Sequence, residues 1–190
     1  MQDTLLRPVR YTFDDFLAFI EDRPDDERWE LIDGVIEMHA SPTNLHQVVT
    51  TNIVALLAMA GWNQNADWHV LPGLGVHNSG NPNWAPVPDV MVRPISHGRE
   101  SFCDDAIAIV EVLSPSTKRK DMVTKRVFYT GLASLRHYVI VAPDEVLIRH
   151  YENSSGWKEQ IVHALDQTLE LAAISVSLKV SDIYRGMGLA

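Results

Sequence analysis

At 190 residues the chain is sized for one domain, and 46% hydrophobic with 22% charged residues is a globular composition that sets aside a disordered or low-complexity protein. A single cysteine, Cys103, excludes an internal disulfide and a metal cluster built from cysteines. The net charge of −9 argues against a general nucleic-acid coat protein, because duplex DNA is repelled at long range.

The opening residues "MQDTLLRPVR" lack the charged-then-apolar layout of a signal peptide. Apolar stretches such as "IVALLAMAGW" read as too short for a bilayer. The expectation is a cytoplasmic protein with no membrane partner. "YTFDDFLAFIEDRP" predicts a short helix, with Thr12 and Asp15 placed as a capping box and Phe13, Phe16, Leu17 and Ile20 on one face. Pro24 ends it.

"RWELIDGVIEMH" predicts a hairpin, because Asp33-Gly34 suits a two-residue turn of positive φ. That turn sets Ile32 against Val35, Leu31 against Ile36 and Glu30 against Glu37. Facing like charges cost up to ~1 kcal/mol unless water, a cation or a basic side chain offsets them. "SPTNLHQVVTTNIVALLAMAG" predicts the main helix, capped by Thr43 or Asn44, with an apolar stripe of Leu45, Val48, Val49, Ile53, Leu56 and Leu57 and with Gly61 at its end.

Residues 63 to 86 predict one strand within "DWHVLPGLGVH", then a loop. "VPDVMVR" is a short strand bearing Asp89, and "AIAIVEVL" is a strand apolar on both faces that carries Glu111. Thr117 to about Leu132 predicts a helix and "HYVIVA" a strand. "EVLIRHYE" and "GWKEQIVH" form a hairpin around "NSSG", and the C-terminal part reads as a strand plus a short helix. The order predicts an α/β or α+β single domain with a mixed central sheet flanked by helices.

Asp89 and Glu111 lie on successive strands among apolar neighbours. A buried carboxylate is costly, and two together push one toward the protonated form. A hard divalent cation resolves this, taking one or two carboxylates plus waters and substrate phosphates. The plainer alternative is that both lie on a solvated face or pair with Arg and Lys. Charge is also unevenly spread. From Pro115 to His137 there are Lys118, Arg119, Lys120, Lys125, Arg126 and Arg136 against Asp121, a segment of +5 in a remainder of −14. That segment is either a solvated helix face or a local polyanion contact.

"PVPDVMV" followed by "IVEVLSPST" resembles the Pro-Asp and Glu-x-x pattern of the PD-(D/E)xK nuclease superfamily. Together with "WELIDGVIEM", "SPTNLHQ", "KDMVTKRVFYTGLASLRHYVIV" and "VSLKVSDIY", it resembles the Uma-two family of restriction-endonuclease-like proteins, over about Tyr11 to Tyr184. The resemblance implies a restriction-endonuclease-like domain over 1–190, with a helix–hairpin extension at about 11–40 and a nuclease core at about 44–142. It implies a DNA endonuclease using Mg²⁺ or Mn²⁺, with Asp89, Glu111 and the Val112 carbonyl as ligands.

The superfamily's lysine belongs two residues after the glutamate, where this chain has Leu113. The resemblance offers Lys125, on the following helix, as the substitute; an Asp121–Lys125 helix salt bridge is the plain alternative. Glu30 matches the family's hairpin acid and is a further catalytic candidate. His46 matches a family histidine that contacts phosphate or orients an acid, and otherwise caps or packs. Lys118, Arg119, Lys120 and Arg126 are the candidates for the DNA backbone. Cutting both strands suggests a homodimer. The departure at Leu113 and the −9 charge keep open a nuclease-fold nucleic-acid-binding or assembly protein without catalysis.

Overall fold

The structure is a computed structural model that describes residues 10–24, 26–39, 41–114 and 120–189, leaving the side chains of 120–122 aside. It opens with helix α1 (Phe13–Glu21), whose capping box between Thr12 and Asp15 is complete. The hairpin of β1 (Trp29–Ile32) and β2 (Val35–Met38) has the register that its turn dictates, with Glu30 opposite Glu37. Asp33 and Gly34 both have positive φ, at 49° and 78°, as a two-residue turn requires. A Cβ on Gly34 would also lie 2.7 Å from the Cβ of Arg10, so the position takes only glycine.

The hairpin is tied to the loop that leads to Asp89. Leu31 and Ala85 exchange backbone hydrogen bonds of 3.2 and 2.8 Å, and the Gly34 N–H donates to Asn83 O at 2.9 Å. Phe16, Leu31 and Ala85 are buried together beneath α1.

Helix α2 (Asn44–Gln64) is capped by Thr43, whose hydroxyl accepts from the His46 N–H. The helix runs past Gly61, the expected stop, and ends on Asn65 in the left-handed conformation. Gly61 serves packing instead: a Cβ there would lie 2.8 Å from the Trp68 ring. A helix interior glycine costs about 1 kcal/mol relative to alanine, which this close approach repays. The expected single strand in residues 63–86 is two, β3 (Trp68–Leu71) and β4 (Gly75–Val76), because the chain turns at Pro72-Gly73. β4 pairs in parallel with β6 (Phe102–Cys103).

The central sheet has six strands in the order β10, β9, β8, β7, β5, β3. They are β5 (Val90–Pro94), β7 (Ala108–Val112), β8 (His137–Val141), β9 (Ile148–Glu152) and β10 (Glu159–Val162), with β3 at the edge. Among the described strands of this sheet only β7 and β8 pair in parallel. The two-residue period explains the apolar runs. Val90, Val92, Ala108, Val110, Val112, Val139 and Val141 face α2. Met91, Ile109, Tyr138 and Ile140 face Phe128, Tyr129, Leu132 and Leu135 on the other side.

Residues 120–125, expected within one long helix, form a π-helical turn that leads into the short helix α3 (Arg126–Thr130). Such turns are rare and concentrate at functional sites. The C-terminal part holds two strands rather than one, β11 (Thr168–Leu171) and β12 (Val176–Lys179), before helix α4 (Val180–Ile183). Leu169, Leu171, Val176 and Leu178 alternate inward and join the core under α2.

Helix α2 has 21 residues and no charged side chain, so by length and composition it is apolar enough to cross a membrane, contrary to the expectation from sequence. Its stripe of Val49, Ile53, Leu57 and Gly61 is buried in the protein core.

Candidate active site

Four elements meet at the end of the sheet where β7 stops. The register Val90–Val110 brings Asp89, the residue just before β5, to the level of Glu111. Asp89 therefore precedes its strand, where the sequence had placed it within one. Its Oδ2 accepts the Val112 N–H at 2.7 Å and lies 3.2 Å from His46 Nε2. Because a carboxylate only accepts, that His46 nitrogen carries the proton. His46 sits in the first turn of α2, so the Thr43 cap sets the histidine's position and the histidine orients the acid.

Glu111 is 2% exposed and faces α3 by strand alternation. Its Oε1 accepts from Lys125 Nζ at 3.2 Å and from the Tyr129 hydroxyl at 3.0 Å. Lys125 and Tyr129 are four residues apart, one helical turn, which aims both at the same carboxylate. Burial, then the Glu111 and Glu30 charges, push the Tyr129 phenol well above its ordinary value, so it stays a donor. Leu113, in the superfamily lysine position, is buried in the apolar cluster on the α3 face.

Lys125 is 1% exposed and is also 2.8 Å from Glu30 Oε1. The N-terminal hairpin thus delivers Glu30 into the same cluster. Glu30 Oε1 accepts the Val87 N–H at 2.6 Å, and its Oε2 lies 2.7 Å from His39 Nε2. Burial pushes the Glu30 carboxyl up, but the Lys125 charge and the His39 contact together outweigh it and hold the group at about 2. The offset to the Glu30–Glu37 repulsion is therefore a basic side chain. His39 and Tyr129 were not singled out from sequence. For Tyr129 the four-residue spacing from Lys125 was a usable signal; for His39 it was the hairpin register, which puts Glu37 opposite Glu30 and His39 two residues further on the same face.

Asp89, Glu111, Val112, Lys125, His46 and His39 all line one cleft of about 790 Å³. Among the described residues no group of three or more His, Cys, Asp or Glu side chains could hold a metal. Two carboxylates opening onto a roomy cleft fit a cation that keeps most of its shell as water and substrate oxygens, the habit of Mg²⁺. Arg126 is absent from this cleft: its guanidinium stacks 4.9 Å from the Tyr151 ring centre. Lys118, Arg119 and the Lys120 side chain lie outside the described residues.

A crystal structure from Anabaena variabilis, described as "a putative nuclease belonging to DUF820", matches with a TM-score of 0.75 at 17% identity, covering 93% of this chain and 98% of that one. It carries the likeness of fold: a mixed α+β layer with a mostly antiparallel sheet. An uncharacterized protein of Synechocystis is 35% identical over 104 residues, which are 53% of this chain. The chain spans only 54% of that relative's length. A family model described as "Putative restriction endonuclease" matches residues 13–181, from α1 to α4, and with that the chain belongs to the Uma2 family.

Proposed function

We propose that the protein is a DNA endonuclease that hydrolyses phosphodiester bonds with Mg²⁺ or Mn²⁺. The observation that carries the reading is the Lys125 ammonium held against Glu111, one strand residue from the Val112 N–H that binds Asp89. An acid pair with a lysine beside it is the constellation that phosphodiester hydrolysis calls for, and here the lysine comes from α3's lead-in turn where the strand offers Leu113.

In this reading Asp89, Glu111 and the Val112 carbonyl hold the cation. When bound, it supplies a coordinated water of lowered pKa and charge to offset the phosphate. His46 and the Val112 N–H fix the Asp89 carboxylate. Lys125, flanked by two carboxylates, enters as a positioned positive charge toward the scissile phosphate. Tyr129 keeps Glu111 in place. Lys118, Arg119 and Lys120 are the residues proposed to track the phosphate backbone. Cleaving both strands of a duplex needs two such clefts, and a homodimer is part of the proposal.

The test has two arms. Supercoiled plasmid is incubated with parent or Glu111→Gln protein in Mg²⁺, Mn²⁺ or EDTA; the parent alone, with metal, should nick it. Thermal melting across a Mn²⁺ titration should show a rise for the parent and for the surface control Asp166→Asn, and none for Asp89→Asn. At a hundredfold excess of cation over Kd the rise corresponds to about 2.7 kcal/mol. A parent that ignores Mn²⁺ overturns the metal reading. The full occupation of Lys125 by two carboxylates favours a second reading, a nuclease-fold binding protein, marked by salt-dependent DNA binding without cleavage.

A further inference from the structure

We propose that His39 is a positioning residue for the Lys125 ammonium, acting through Glu30, and that it thereby keeps Glu111 open to a divalent cation. The inference rests on the nuclease reading above for its second half; the first half stands on geometry alone.

The two oxygens of Glu30 have separate duties. Oε1 takes both the Val87 N–H and Lys125 Nζ, at 2.6 and 2.8 Å. Oε2 lies 2.7 Å from His39 Nε2, an ion-pair contact. At that distance from a carboxylate oxygen the ring nitrogen must carry a proton. Glu30 is 3% exposed, so water does not readily replace the histidine. A buried carboxylate oxygen left without its donor costs about 1–3 kcal/mol or more, which the side chain relieves by turning.

His39 is itself fixed. It follows the last hairpin pair, Trp29–Met38, and its backbone N–H donates to Arg28 O at 2.8 Å. The ring thus closes the cleft side of Glu30 while β1 closes the other. Without the ring, Glu30 turns, and Lys125 loses the better of its two carboxylate contacts. The ammonium then settles on Glu111, already 3.2 Å away. A lysine drawn closer to Glu111 competes more strongly with a cation for the same carboxylate. His39 therefore controls cation affinity from a position that touches neither proposed ligand.

The experiment compares the full-length parent with His39→Ala and His39→Gln, the latter keeping an N–H donor. Two quantities are read. The first is the Lys125 Nζ signal by nitrogen-15 NMR without metal, assigned by its loss in Lys125→Met. The second is the Mn²⁺ midpoint of the thermal rise. His39→Ala should shift the Lys125 signal and raise the Mn²⁺ midpoint about tenfold, the usual cost of losing an outer-sphere partner. His39→Gln should restore most of both. An unchanged Lys125 signal in His39→Ala overturns the positioning role whatever the metal does. A shifted signal with an unchanged Mn²⁺ midpoint overturns the link to cation affinity. Equal impairment in His39→Gln and His39→Ala assigns the histidine a packing role and overturns the proposal. A parent without any Mn²⁺ response removes the nuclease reading and the cation half with it, while the NMR arm still decides the positioning.

Discussion

Lys125→Met is the sharpest test of the buried cluster. The substitution keeps most of the side-chain volume and removes the one ammonium shared by Glu30 and Glu111. Holding the Glu30 carboxyl at about 2 against an ordinary 4.5 corresponds to about 3 kcal/mol of stability. Breaking a buried ion pair by deleting one partner costs about 3–5 kcal/mol. For a chain of this size that lowers the melting temperature by about 6–20 °C. The pH dependence has a definite sign. In the parent, the lowered Glu30 pKa contributes stability that is complete above 4.5 and is lost as pH falls toward about 2. In Lys125→Met the two carboxylates lose the ammonium they share, desolvation gains weight, and one takes up a proton as the pH falls from neutral. The variant should therefore gain stability relative to the parent on mild acidification. Urea unfolding followed by circular dichroism at several pH values reads both effects. A Lys125→Met protein as stable as the parent, or one that loses stability in parallel with it on acidification, would refute the buried-cluster account.

Two further outcomes follow from other parts of the molecule. Replacing Lys118 and Arg119 together by alanine should weaken binding of unrelated DNA sequences alike and reduce the salt slope by about two; an unchanged slope in a fluorescence titration removes these residues from the DNA contact. His137 and His150 form a buried dyad, Nδ1 to Nε2 at 3.0 Å, and the Ala173 N–H donates to His137 Nε2. Burial, then the neighbouring His150, push His137 down to about 4, so its contribution is complete above 6.5 and is lost as pH falls from 6.5 to about 4. A His137→Asn protein should lack that slope in its urea midpoints, and an identical slope in both proteins means the dyad is not neutral.

Much of the fold was legible because its signals are local. The Thr12 capping box, the Asp33-Gly34 turn and the Thr43 cap each concern residues within four positions, and each took its expected form. The two carboxylates could also be found, since Asp89 and Glu111 interrupt apolar strands. What stayed hidden depends on contacts far apart in sequence. Gly61 reads as a helix stop until Trp68 is seen against it. The resemblance pointed to Lys125, but its contact with Glu30 shows only in the folded chain, because no spacing along the sequence encodes that meeting. Arg126 shares the basic stretch yet faces Tyr151, since neighbouring residues on a helix point about 100° apart.

The position of Glu30 on β1 also bears on how the molecule opens. If the hairpin detached on its own, Lys125 would lose its 2.8 Å partner while still enclosed by α3 and β7. Loss of that contact adds to the cost of local opening, so the hairpin of β1 and β2 and the sheet should behave as one cooperative unit, a single foldon. Amide protons of β1 and β2 should then exchange with solvent at rates close to those of β7, despite the exposed Val35 and Met38 beside them. An N-terminal truncation beyond the hairpin would leave Lys125 with Glu111 at 3.2 Å but without Glu30, and should lower the stability of what remains.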